Sequence, residues 1–353
     1  MQDRTIDIVS TTGSIHYLDE SNGDVIRSFG GAIDGVLDGQ AFSVNVGRPW
    51  LNRLVRFRMV SRLLRIHRIN ILRIAKTRLL VIYRNDVFVF ELRERTLRKV
   101  FRFALTHYVH TQSISVHEGR IVIGEYGNIG QQKCVGALVS PDGGTTWSYQ
   151  RLFEKAQVKN ILAIQFDSVS RNYWVFTGDA DNESGIHIFD EHLNFSRTLG
   201  SGLAYRAISS FFLPDRIVWL TNNPFGTSQV QSYDRTTGSV EAGESLPGPV
   251  WYSARLGSDI YCCTAAEDVA GPAGENVYVM HSRDYVHWDQ LCTFEKDALN
   301  KRLFLYGLGT FAQHGPDNSN VYVNLDAVRK YDGCTVKIAR PAGSTRQPAA
   351  SER

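Results

Sequence analysis

The chain is short of the features that would assign it quickly. It has no apolar run approaching the roughly 18–20 residues of a membrane span. Its five cysteines, Cys134, Cys262, Cys263, Cys292 and Cys334, are odd in number. Their spacing fits neither a zinc site nor a disulfide framework, so buried free thiols are expected and no metal is. There is no phosphate-binding glycine loop, no dinucleotide fingerprint and no Gly-x-Ser-x-Gly elbow. No cofactor is expected. The first residues carry no basic, apolar leader, which leads us to expect a cytoplasmic protein.

One further absence is local. Between Asp38 and Asp86 there is no acidic residue, while the interval holds eleven cations from Arg48 to Arg84. The overall charge is +3, so the rest of the chain carries −8. Such a block implies an anionic partner or a solvated face. Trp50, Leu51, Leu54 and Phe57 alternate with its arginines, which suits an acidic membrane surface or a lipid-linked sugar. Arg53, Arg56, Arg58, Arg62 and Arg65 are the expected contacts, and the protein would then lie peripheral to the inner face of the membrane. Nucleic acid is the weaker choice, because no recognition module accompanies the charge.

What is abundant is short β-branched and aromatic runs punctuated by Gly, Asn and Asp. After Ile69 they repeat. The second run of each unit falls at 78–83, 120–125, 173–179, 216–222, 259–264 and 320–325. A period of roughly 40–60 residues suits a four-stranded propeller blade. The fold class expected is therefore all-β, a β-propeller of six or seven blades of four antiparallel strands. Six blades fall between Ile69 and Arg340. The last lacks an outer strand, which residues 5–9 could supply. Runs at 14–18, 25–29 and 42–46 would form part of a seventh. Residues 48–68 form a basic insertion, either a blade edge or an appended helix: the propensities suit a helix, yet Val55-Arg56-Phe57-Arg58-Met59 alternates like a strand. A single domain over residues 1–341 is expected, with a disordered tail at 342–353.

In a propeller, the loops before the first strand and after the second strand of each blade gather on one face. The loops before the first strand carry His107, His110, Lys159, Tyr205, Arg206, Trp251, Tyr252 and Tyr306, and the loops after the second strand carry Glu125, Tyr126, Asp179, Asp181 and Glu267. Aromatics stack on the C–H faces of sugars, and paired carboxylates perform glycosyl chemistry. Glu125 and Asp179 each follow an apolar strand and a glycine, so either is a candidate catalytic acid, with Asp181 or Glu267 as the second carboxylate. The remaining aromatic and cationic residues are candidate substrate contacts.

The segment Ser140-Pro141-Asp142-Gly143-Gly144-Thr145-Thr146-Trp147 is a polar turn closed by an aromatic, and Ser282-Arg283-Asp284-Tyr285-Val286-His287-Trp288 is a fainter copy. Ser and Asp can bond nearby N–H groups, Gly permits positive φ, and Trp packs beneath. The order Ser-x-Asp-x-Gly-x-Thr-Trp resembles the Asp box of sialidases and related BNR-repeat propellers. In that family an Arg-Ile-Pro motif supplies an arginine for the substrate carboxylate, and a tyrosine paired with a glutamate is the nucleophile. Leu72-Arg73-Ile74-Ala75 matches the Arg-Ile pair but not the proline, which makes Arg73 the candidate anion-binding arginine and Arg206 a second. The resemblance implies a carbohydrate-active enzyme that cleaves or forms a glycosidic bond, with hydrolysis favoured. A membrane-associated glycosyltransferase using a sugar nucleotide, and a non-catalytic glycan- or protein-binding propeller, are the alternatives.

Overall fold

A computed structural model describes residues 6–104, 108–127, 134–154, 157–267 and 272–341; the expected disordered tail lies outside the described residues. The fold is all-β, a β-propeller of seven four-stranded antiparallel blades. The chain divides into two compact units.

The unit of Arg68–Asn223 and Ser228–Ser245 holds four blades. Blade 1 is Ile69–Ala75, Arg78–Tyr83, Asp86–Glu91 and Thr96–Arg102. Blade 2 is Ile114–His117, Arg120–Gly124, Cys134–Ser140 and Ser148–Glu154. Blade 3 is Ile161–Asp167, Asn172–Thr177, Gly185–Phe189 and Phe195–Ser201. Blade 4 is Ala207–Phe212, Arg216–Thr221, Ser228–Asp234 and Val240–Leu246. Middle strands such as Asn172–Thr177 are buried on both faces, because blade 3 packs against blades 2 and 4 of the same unit. Leu80, Ile82 and Val87 of blade 1 share one core with Ile121, Ile123 and Leu138 of blade 2. Fourth strands such as Thr96–Arg102 are largely solvated. This gradient is why the second run of each repeat is the easiest to read from sequence.

The other unit is Met1–His67, Pro224–Thr227 and Leu246–Arg353. Blade 5 is Val250–Leu256, Asp259–Thr264, Asn276–Ser282 and Asp289–Glu295. Blade 6 combines Leu308–Phe311, Asn320–Asp326 and Thr335–Ala339 with the N-terminal strand Ile6–Ser10, which pairs antiparallel to Thr335–Ala339. The missing outer strand therefore comes from Ile6–Ser10, one residue on from the run at 5–9 that the repeat count suggested. Blade 7 is Ser14–Leu18, Val25–Phe29, Ala32–Leu37 and Gln40–Asn45, with Gln313–His314 added in parallel beside its first strand.

The basic insertion is helical. Helix α1 is Pro49–Val55 and α2 is Arg58–Leu64. Pro49 opens α1, where a missing N–H costs nothing. Phe57 is extended (φ −90°, ψ 94°) and separates the two helices. The strand-like alternation over Val55 to Met59 spans this break and forms no strand. Arg65 takes a left-handed conformation (φ 54°) and ends α2. Leu51 and Val55, one turn apart, face inward with Ile66 against Phe29.

The polar turns behave as their residues dictate. The Asp142 carboxylate accepts the N–H groups of Thr145 and Thr146 at 3.1 and 2.8 Å, and the Ser140 hydroxyl accepts the Gly144 N–H at 2.8 Å. Gly143 and Gly144 have positive φ, and Trp147 Nε1 donates to the Gly144 carbonyl at 3.0 Å. These bonds from Thr146 first, then Ser140 and Thr145, lower the Asp142 pKa to about 2. Asp284 repeats the pattern with the N–H groups of Val286 and His287 at 2.9 and 2.8 Å.

Candidate functional site

In the unit of blades 1 to 4, the segment leading into blade 2 is tied to the start of blade 1. Asn70 Nδ2 donates to the Val109 carbonyl at 2.6 Å, and its Oδ1 accepts from the Thr111 hydroxyl at 2.9 Å. The His110 carbonyl then accepts the Ser113 N–H at 2.9 Å, making the short turn Thr111–Ser113. These bonds hold the His110 ring edge-on to two tyrosines. Tyr108 lies 5.3 Å away and Tyr126 lies 5.2 Å away, centroid to centroid. The Arg68 guanidinium sits 4.8 Å from the Tyr108 centroid, a cation–π contact. His110 is 2% exposed. Burial, then the charges of Arg68 and Arg206, push its pKa down to about 3, so the ring is neutral at pH 7. Arg206, which precedes the first strand of blade 4, is buried and donates to both the carbonyl and the side-chain oxygen of Asn222. The structure thus brings His110, Tyr126 and Arg206 together and adds Arg68 and Tyr108 to them.

The candidate carboxylates are each engaged by a neighbour. Glu125 is 3% exposed, and the Tyr149 hydroxyl donates to its Oε2 at 2.5 Å. Burial, then Glu125, pushes the Tyr149 pKa well above its ordinary value, so the hydroxyl keeps its proton and acts as a donor. Asp179 forms an ion pair with Lys159. Exposed Asp181 accepts the Leu203 N–H at 2.9 Å, fixing the turn Leu203–Tyr205. In the other unit, buried Glu267 accepts the Trp251 indole N–H, and the Trp251 ring lies 6.4 Å from that of Tyr306. Lys301 donates to the Glu267 and Gly274 carbonyls, both at 2.6 Å.

Several expected contacts have packing positions. Tyr205 stacks on Trp219 at 5.8 Å within the core of blades 3 and 4. Tyr252 is 2% exposed. Arg73 lies near the hairpin end of its strand, where it donates to the Lys76 carbonyl at 3.0 Å. Asn70, which meets Val109, marks the opposite end, so Arg73 does not join His110. The arginine that does is Arg68, immediately before the strand. His107 lies outside the described residues. Two of the five arginines expected on an anionic surface face inward instead. Arg58 pairs with Asp326 and Asp332, and Arg62 pairs with Asp297 and Asp332 while donating to the Phe304 carbonyl. Arg53, Arg56 and Arg65 are exposed.

Sequence reasoning missed Arg68 as a site residue and Tyr149 as the partner of Glu125. Arg68 was visible only as one member of a basic run. Tyr149 meets Glu125 because Gly136, two residues along the neighbouring strand from its register partner Leu138, leaves room for the ring to cross: a Cβ there would lie 2.9 Å from it. Local sequence carries no mark of that crossing.

The chain matches no family model and no curated protein. Solved structures similar to it include the WD40 β-propeller domain of Doa1, with TM-score 0.57 and 13% identity, covering 97% of each chain. A chain of the Mitotic Checkpoint Complex aligns with TM-score 0.55 and 9% identity, over 96% of this chain and 93% of that one. The extracellular domain of a putative hybrid two-component system, BT4673 from B. thetaiotaomicron, gives TM-score 0.54 and 12% identity. It is matched over 96% of this chain, which spans 40% of that structure. At these identities the likeness concerns the fold, and the class of protein it defines is a seven-bladed β-propeller.

Proposed function

We propose that this chain is a binding propeller that holds an acidic carbohydrate on the loops around His110. The observation that carries the reading is the pairing of two guanidinium groups, Arg68 and Arg206, with a neutral buried imidazole flanked by Tyr108 and Tyr126. Cations suit a carboxylate or sulfate, and tyrosine faces suit sugar C–H groups. The Asp-box-like turns and their resemblance to sialidase-type propellers favour a sugar over other anions. Catalysis is the weaker reading because the tyrosine beside a glutamate, Tyr149, has its pKa raised rather than lowered, the opposite of what a phenolate nucleophile requires. The carboxylates Asp179 and Asp181 are likewise committed to an ammonium and a backbone N–H.

Calorimetric titration with sialyllactose and with lactose tests this. The acidic sugar should bind at least tenfold tighter, with affinity falling as salt rises. Arg68→Ala, a change at a half-buried position, should remove most of that preference. Equal binding of both sugars, or no binding, overturns the reading. Release of aryl alcohol from an aryl sialoside, lost in Glu125→Gln and Asp179→Asn, would establish the hydrolase instead.

A further inference from the structure

The helical hairpin α1–α2 carries a surface that the proposed sugar site does not use. Arg58 and Arg62, one turn apart on α2, bind Asp297, Asp326 and Asp332. That anchored face fixes which residues point outward. Met59 and Leu63, also one turn apart but rotated by one residue, are 56% and 48% exposed. Trp50, Phe57 and Leu64 are 53%, 63% and 48% exposed. Among the described residues fourteen large hydrophobic side chains are exposed, and five of them lie within these fifteen residues. Exposed Arg48, Arg53, Arg56 and Arg65 are interleaved with them, and the sequence from Gly39 to Asn85 contains no acid to offset the charge.

We propose that α1–α2 docks on the surface of an anionic lipid bilayer. Trp50, Phe57, Met59, Leu63 and Leu64 enter the interfacial layer, and the four exposed arginines meet lipid phosphates. Charge complementarity selects this occupant: exposed apolar side chains interleaved with one sign of charge fit a surface that is apolar beneath and negative above. A second copy of the chain would bring the same arginines face to face and repel. The inward arginines have a defined part in this arrangement, since they hold the hairpin rigid with its apolar residues outward.

The test is sedimentation of the full chain with vesicles of phosphatidylcholine alone and with phosphatidylglycerol added to make the surface negative. Binding should rise at least tenfold with the anionic lipid and fall with salt. Trp50→Ala with Phe57→Ala should lower binding about tenfold without moving the unfolding midpoint, because both side chains are exposed. Arg53→Glu with Arg56→Glu should abolish the preference for anionic lipid. Wild-type protein that ignores both vesicles overturns the proposal, as do variants that bind like wild type. A concentration-dependent dimer that is lost in the Trp50 and Phe57 variant, without vesicle binding, would assign the patch to a second copy.

Discussion

Glu125 is a buried carboxyl whose hydrogen bond from Tyr149 crosses a whole strand of blade 2. Removing that donor by Tyr149→Phe takes one charge-assisted hydrogen bond from a buried carboxylate, at a cost of about 1–3 kcal/mol. Glu125→Gln in the Tyr149→Phe background should recover part of the loss, because a neutral amide is less costly to bury than a carboxylate. Urea unfolding of the four proteins of this cycle checks it, and strict additivity of the two changes would refute the coupling. Arg62 is 1% exposed and binds two carboxylates and a carbonyl. Arg62→Ala leaves Asp297 and Asp332 without that counter-charge and should cost about 3–5 kcal/mol. Arg53→Ala, on the exposed side of α1, should change stability by less than about 0.5 kcal/mol. The same denaturant series separates the two.

At the scale of elements, the N-terminal strand Ile6–Ser10 has the clearest consequence. It pairs with Thr335–Ala339, and Ile6 packs against the core shared by blades 5 and 6. Deleting residues 1–11 removes those ladder bonds and uncovers the edge of Thr335–Ala339, a template for pairing with another chain. The expected result is a loss of about 3 kcal/mol, from one half-buried aliphatic side chain and a few net hydrogen bonds. A growing aggregate fraction in light scattering should accompany it. An unchanged melting temperature and a monodisperse sample would show that the strand is dispensable. This element was legible because the repeat left blade 6 one strand short. The helices were legible only as one of two alternatives: the propensities over residues 48–68 suit a helix while five positions alternate like a strand, and the inward packing of Leu51, Val55 and Ile66, with the aspartates that bind Arg58 and Arg62, decides for two short helices. Strand Ala32–Leu37 of blade 7 was missed, since its Ala, Asp and Gly residues weaken the apolar signal although Ile33 and Leu37 are buried.

For the molecule as a whole, the buried imidazole of His110 and the half-buried ones of His16, His187 and His314 set a pH dependence. Burial lowers the pKa of His16, His187 and His314 to about 4 and that of His110 to about 3. Each depressed value means that the unfolded chain binds the proton more readily than the folded one. Their contribution is complete above the unfolded value of 6.5 and is lost as pH falls toward 4 and then 3. The urea midpoint should therefore decline between pH 6.5 and 4.5, a window above the range in which carboxylates such as Asp86 and Asp142, held below their usual values, begin to protonate. His16→Gln with His314→Gln should flatten that decline. A midpoint constant across the window would contradict the assignment of neutral histidines.

The repeat of β-branched runs, the turn residues between them and the missing strand of blade 6 are local or periodic quantities, and the sequence by itself determined them. It thereby determined the propeller class, the blade period and the hydrogen bonding of the Asp142 and Asp284 turns. Which arginine stands beside His110 was decided only by the tertiary structure. Arg73 and Arg68 are five residues apart, near opposite ends of one strand, Arg68 just before its start, and the end that carries the site is set by where Asn70 meets Val109. The orientation of the basic helices was decided there too. A run of like charges attracts any anion, and the half-buried aspartates of this same chain, more than two hundred residues away, claim Arg58 and Arg62 while Trp50, Phe57 and Met59 stay outward.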